Sequence, residues 1–144
     1  MGFSVDVGNW CRNVAPDWIH LVTKRIVFEC AERALFRSPV GDASYWKNPE
    51  SAPPGYTGGR FKGNWQYQYG RTASGVLETI DKSGDATLGK IRTSFVAQFG
   101  VHTISNNLPY AQRIEDGWSR RLAPRGIVRL IELEMPSIAR EAMR

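Results

Sequence analysis

Two neighbouring carboxylates, Glu115 and Asp116, sit in the stretch NNLPYAQRIEDGWSRRLAPRG (residues 106–126), beside a tyrosine, a tryptophan and several arginines. Paired carboxylates serve acid–base and glycoside chemistry when they face each other across about 5–9 Å. Adjacent residues on a helix or strand point in different directions, so this pair does not aim at one substrate. A second stretch, YTGGRFKG (56–63), is glycine-rich and basic, as phosphate cradles are. It lacks the GxxxxGKS/T spacing and leads into a predicted strand, so no helix N-terminus supplies amides for an anion. Neither His20 nor His102 has a cysteine or histidine beside it, and no serine sits in a GxSxG elbow. Cys11 and Cys30 are too few for a disulfide framework or a four-ligand zinc site. No catalytic residue, cofactor site or metal site is expected, and the chain reads as a non-enzyme.

The residues must be positioned by one small domain, 1–144, with an N-terminal arm at 1–14 and a long loop at 39–60. Hydrophobic residues make up 42% and charged residues 23%, which predicts an ordinary soluble globular protein. No apolar run approaches the ~20 residues of a membrane span, and the N-terminus lacks a secretory or myristoylation pattern. The few cysteines predict folding in a reducing cytoplasm. The net charge of +5 is mild; such surpluses are ordinarily solvated faces, and some mark contact with phosphate. Arg60, Lys62 and Arg71 make residues 60–71 locally +3, a candidate nonspecific DNA contact against the plainer reading of a solvated strand face. The aromatics interleaved there are expected to pack in the core rather than stack on bases.

The spacing predicts a helix over 15–37, with Pro16 in its first turn and a stripe of Ile19, Val22, Ile26, Cys30 and Ala34. Ser38-Pro39 ends it. Residues 39–60 hold four prolines and four glycines but also Tyr45, Trp46 and Tyr56, which predicts a loop that orders against something, such as a neighbouring subunit. Alternation of Phe61, Trp65, Tyr67 and Tyr69 predicts a strand, and GVLETIDK (75–82) a second one in a hairpin with it. Leu88, Ile91, Phe95 and Phe99 predict a helix over 86–98, capped by Asp85 and ended by Gly100. VHTIS (101–105) reads as a strand, Pro109–Ile114 as a helical turn, and the segment from Ala123 onward as mostly helical. In that last helix Ile127, Leu130, Ile131, Glu134 and Ile138 share a face, and Pro136 should kink or break it. The fold class is α+β: two long terminal helices on a small, mostly antiparallel sheet, with a long ordered loop.

Three separated blocks then resemble one family in order and approximate spacing. They are SPVGD after the first helix, GGRFKGNW entering a strand, and NNLPYAQRIEDGWSRRLAPRG. The neck and tail-completion proteins of tailed bacteriophages, often described as minor tail or tail-component proteins, show a Ser/Thr-Pro-Val-Asp-Thr-Gly block, a Gly-basic-Asn-Trp block, and Pro-Tyr-Ala, Glu-x-Gly and Ala-Pro-x-Gly elements. The match spans residues 15–135. It departs at 38–59, where the family's short turn is expanded by an insertion, and at Arg120-Arg121-Leu122, where many members are more polar. The resemblance implies a virion structural protein of the head-tail connector, made in the host cytoplasm. Its partners would be other copies in a ring, a hexamer as the usual case, with head-closure or adaptor and tail-terminator or tail-tube proteins on either side. Double-stranded DNA would pass through the lumen, with no membrane, catalytic residue or cofactor involved. A ring subunit needs two different sticky patches. Interfaces favour Tyr, Trp and Arg, and Trp46, Tyr56, Tyr110, Glu115, Trp118, Arg120 and Arg121 are the interface candidates. Arg60, Lys62 and Arg71 are candidates for the DNA channel. The alternative is a nonspecific nucleic-acid-binding accessory protein.

Overall fold

A computed structural model describes residues 9–144. It shows an α+β fold: long N- and C-terminal helices packed against a two-stranded antiparallel sheet. Helix α1 is Ala15–Arg37, the predicted span, ended by extended Ser38. It is preceded by a π-helical turn, Trp10–Val14, so the described part of the predicted arm is helical; residues 1–8 of that arm lie outside the described residues. Strand β1 (Trp65–Tyr69) follows the long loop and a 3-10 turn at Lys62–Asn64. Helix α2 (Asp85–Ser94), strand β2 (His102–Asn106), the short helix α3 (Ala111–Glu115) and helix α4 (Val128–Ala142) complete the order.

The core forms where α1, α4 and β1 meet. Ala31, Ala34 and Leu35 of α1 face Ile127, Ile131 and Ile138, with Phe61, Trp65, Ile91 and Leu108 filling the remaining space. Small alanines on α1 let α4 approach closely, and the predicted α4 face holds at its isoleucines. Glu134 lies on the flank of that face and receives both Arg33 and Arg37, clamping the two helices. Trp65 donates its indole N–H to Ser38 Oγ at 2.7 Å, and Ser38 donates in turn to the Ala34 carbonyl. This pins the start of β1 to the end of α1.

Four expectations are corrected. Residues 75–82 form no strand; β1 pairs instead with β2, Trp65 opposite Asn106 and Tyr69 opposite His102. The reason is Asn64, which is fully buried. Its amide donates to the Arg60 and Leu77 carbonyls at 2.8 and 3.0 Å, and its oxygen accepts from Leu77 N–H at 2.8 Å. Side chains thus take bonds a ladder would have made, Asn64 at Leu77 and both Gln66 and Asn107 at the Gly75 carbonyl. Gly63 allows the segment this close, because a Cβ there would lie 2.5 Å from the Thr79 carbonyl oxygen. Second, α2 stops at Ser94 rather than 98, and its cap is not Asp85. Asp81 accepts from Gly84 N–H, and from the Thr87 N–H and hydroxyl, holding the first turn from outside it. Third, the buried face of α1 is Val27, Ala31, Ala34 and Leu35, with Ile26 and Cys30 at its edge, while Ile19 is 38% exposed. The core covers chiefly the second half of the helix. Fourth, α4 runs unbroken through Pro136. Pro136 and Glu132 are both exposed, so water can serve the carbonyl that the proline leaves unpaired.

Asn64→Ala should therefore leave the half-buried Leu77 amide and carbonyl, and the Arg60 carbonyl, without this partner. We expect a loss of about 1.5–3 kcal/mol in urea unfolding, since three hydrogen bonds go and each is worth about 0.5–1.5 kcal/mol where water has partial access. A loss under about 0.5 kcal/mol would show that Asn64 does not hold the segment.

Candidate functional site

The long loop folds back on its own chain. Its two arms meet at Gly41 and Gly58: Gly58 has φ +73°, and a Cβ there would lie 2.2 Å from the Gly41 carbonyl oxygen. A Cβ on Gly41 would run into the Tyr56 hydroxyl. Asp42 caps the 3-10 turn at Ala43–Tyr45 by accepting from Ser44 N–H. The loop so shaped makes one wall of a groove of about 870 Å³, and α3 with residues 118–122 makes the other.

The groove is aromatic inside and basic at its rim. Trp46 and Tyr56 pack at 4.9 Å between ring centroids. Tyr110 lies over buried Phe61 at 6.2 Å, and Phe61 meets Trp65 edge-on, so the groove floor is continuous with the core. Burial pushes the Tyr110 hydroxyl up, which keeps it a neutral donor. Arg121 sits over the Tyr45 ring at 3.5 Å and Arg113 over Trp118 at 5.3 Å. Trp118 is 71% exposed. Arg120 is exposed and has no ion-pair or hydrogen-bond partner among the described residues.

The fold brings together Trp46, Tyr56, Tyr110, Trp118, Arg120 and Arg121 from three separate segments. Glu115 is placed otherwise. Its carboxylate turns inward and accepts from the Ile127, Val128 and Arg129 amides at 2.8–2.9 Å, capping α4. Burial pushes its pKa up, but the three amide bonds and the Arg129 charge outweigh this and hold the carboxyl below its usual range. Asp116 turns away to accept from Gln112, so the adjacent acids diverge. The three DNA-channel candidates do not converge. Arg60 lines the groove and pairs loosely with Glu78 at 3.4 Å. Lys62 lies beside Gly84, and Arg71 follows the far end of β1, about 20 Å along the chain from Trp65. Tyr45 joins the site without having been a candidate. Its signal was adjacency to Trp46 in an aromatic loop.

The groove lining holds one carboxylate, Asp42, and neither histidine nor cysteine. Aromatic faces and arginine donors can grip another surface, and they offer no nucleophile–base pair. His102 is occupied elsewhere, between the Tyr67 hydroxyl and the Gln98 carbonyl. Among the described residues no group of His, Cys, Asp and Glu could hold a metal ion, and no helix is long and apolar enough to cross a membrane. The chain matches no family model, no curated protein and no solved structure.

Glu115→Gln should retain one acceptor but lose the charge. We expect about 2 kcal/mol less stability at pH 7, as a charge-assisted cap becomes a neutral one. The folded pKa lies below the unfolded one, so this stabilisation is full above about pH 4.3 and fades as pH falls through the folded value. The gap between wild type and variant should narrow from pH 7 to pH 3 in chemical denaturation. A gap independent of pH would count against the cap.

Proposed function

We propose that this chain is a noncatalytic subunit of the bacteriophage head-tail connector, acting as a homo-oligomeric ring, a hexamer in the usual form, that completes or joins the tail around the DNA channel. The observation that carries the reading is the gathering of Trp46, Tyr56, Tyr110, Trp118, Arg120 and Arg121 around one open groove. Interface hot spots are rich in these residue types, and they work in pockets that a partner desolvates. Trp118 and Tyr45, 71% and 64% exposed, present large apolar area to solvent without covering the core. The phage assignment itself rests on the three ordered motif blocks. All three line the groove: SPVGD begins one wall, GGRFKGNW brings Arg60 and Phe61, and NNLPYAQRIEDGWSRRLAPRG supplies the other wall. Neighbours in the ring would be further copies, with head-closure or adaptor and tail-terminator or tail-tube proteins above and below.

The test is genetic. In a phage carrying this gene, its deletion should leave filled heads and separate tails by negative-stain microscopy. The wild-type chain should restore joined virions. Trp118→Ala with Arg121→Glu should fold with an unchanged melting temperature and restore fewer than about one-tenth as many, a hot-spot loss of roughly 1.4 kcal/mol or more. Normal virions in the deletion would end the connector reading.

A further inference from the structure

A second apolar surface lies on α1 and its leading turn. Trp10, Val14, Trp18 and Leu21 recur at four, four and three, and they are 47%, 46%, 41% and 44% exposed. Residues at that spacing share one helix face. Two tryptophans on one face form a larger exposed apolar patch than scattered surface residues do. Asp17 neighbours the stripe, exposed and with no ion-pair or hydrogen-bond partner among the described residues.

The groove opens at the other end of the same helix, where Pro39 and Val40 begin its wall. Twenty residues separate Trp18 from Ser38 along α1, about 30 Å of helix. A subunit cannot lay its own stripe in its own groove across that distance. A second copy can. The two surfaces also match in chemistry. The groove offers aromatic rings and a rim with Arg60, Arg120 and Arg121 against one acid, Asp42. The stripe offers indoles and an unpaired Asp17. An acid that meets an arginine at a desolvated rim fixes register as well as adding attraction.

We infer that the groove of one subunit receives the Trp10–Leu21 face of the next, with Asp17 of the incoming copy against Arg120. The inference rests on the ring reading and names its contact. Because stripe and groove are different patches, the contact is head-to-tail. Each docked copy leaves one stripe and one groove free, so the series grows until it closes.

Native Cys11 is exposed beside the stripe, and Ser119 lies on the groove wall with no hydrogen bond from its side chain among the described residues. Ser119→Cys protein is treated at high concentration with a short bismaleimide and run on a denaturing gel. A ladder of trimers and larger species is expected, because head-to-tail contacts link without limit while a two-fold contact stops at dimers. Adding Cys11→Ser should remove the ladder. Asp17→Arg should reduce it at least tenfold, and Asp17→Arg combined with Arg120→Asp should restore it. No species beyond dimer, a ladder that survives Cys11→Ser, or a charge swap that fails to restore it would each overturn the contact. Loss of the contact with tail joining still dependent on the gene would leave the connector reading standing. Normal joining in the deletion would remove that reading instead.

Discussion

A two-stranded sheet leaves most of the irregular backbone around it without ladder partners, and buried amides and carbonyls left unpaired cost more than bonds gain. Side chains meet the constraint here, and three of them make several such bonds each. Asn64 binds Leu77 on both its N–H and its C=O. Asp81 holds the first turn of α2. Glu115 takes the three leading amides of α4. Two of them act from another segment: Asn64 lies 13 residues before its partner, and Glu115 lies 12 residues before the first amide it caps, whereas Asp81 works locally, three and six residues from its donors. Asn64 and Glu115 therefore make tertiary contacts as well as local ones. The sheet can stay at two strands because these groups do the satisfying that further strands would do elsewhere.

The groove inherits its shape from the same anchors. Phe61 is buried beneath Tyr110, and its carbonyl accepts from the Asn106 amide at 2.8 Å at the end of β2. The wall formed by α3 is fixed through Glu115 to the start of α4, which packs along α1. A rigid floor with exposed rings at its edges loses little freedom when something docks, which favours affinity. The opposing wall, the long loop, closes through glycine contacts between its arms rather than through a core of its own.

Legibility in the sequence followed the range of the forces involved. Helix α1 was readable to the residue because Pro16, Arg37 and Ser38-Pro39 are local signals. The isoleucine face of α4 was readable because a spacing of three and four survives any packing partner. The hairpin was misread because Asn64 sits on the polar parity of FKGNWQYQYG, where asparagine ordinarily faces water. Only Gly63 beside it hinted at a close backbone approach. The capping roles of Asp81 and Glu115 were not legible for a related reason: Asp81 sits ahead of the Gly84 cap position and reaches Thr87 from six residues back, and Glu115 reaches its amides from 12 or more. In the site, the residue types that converge were visible, but their meeting depends on how the 39–60 loop folds back. Glu115 shared their segment and composition, yet its side chain points into the protein.

The excursion from Gly117 to Gly126 is clasped at its base. Gly117 passes so close to Pro124 that a Cβ would lie 2.5 Å from its carbonyl oxygen, Gly126 crowds Glu115 in the same way, and both glycines have φ near +80°. Ala123 between them is buried in the core, and the tip at residues 118–122 hangs from that clasp. The tip can lengthen, shorten or change charge while the helix beyond it keeps its starting point. A lineage can thus revise what this edge fits without reopening the question of whether the chain folds. Variation should collect at residues 118–122 and stop before buried Ala123.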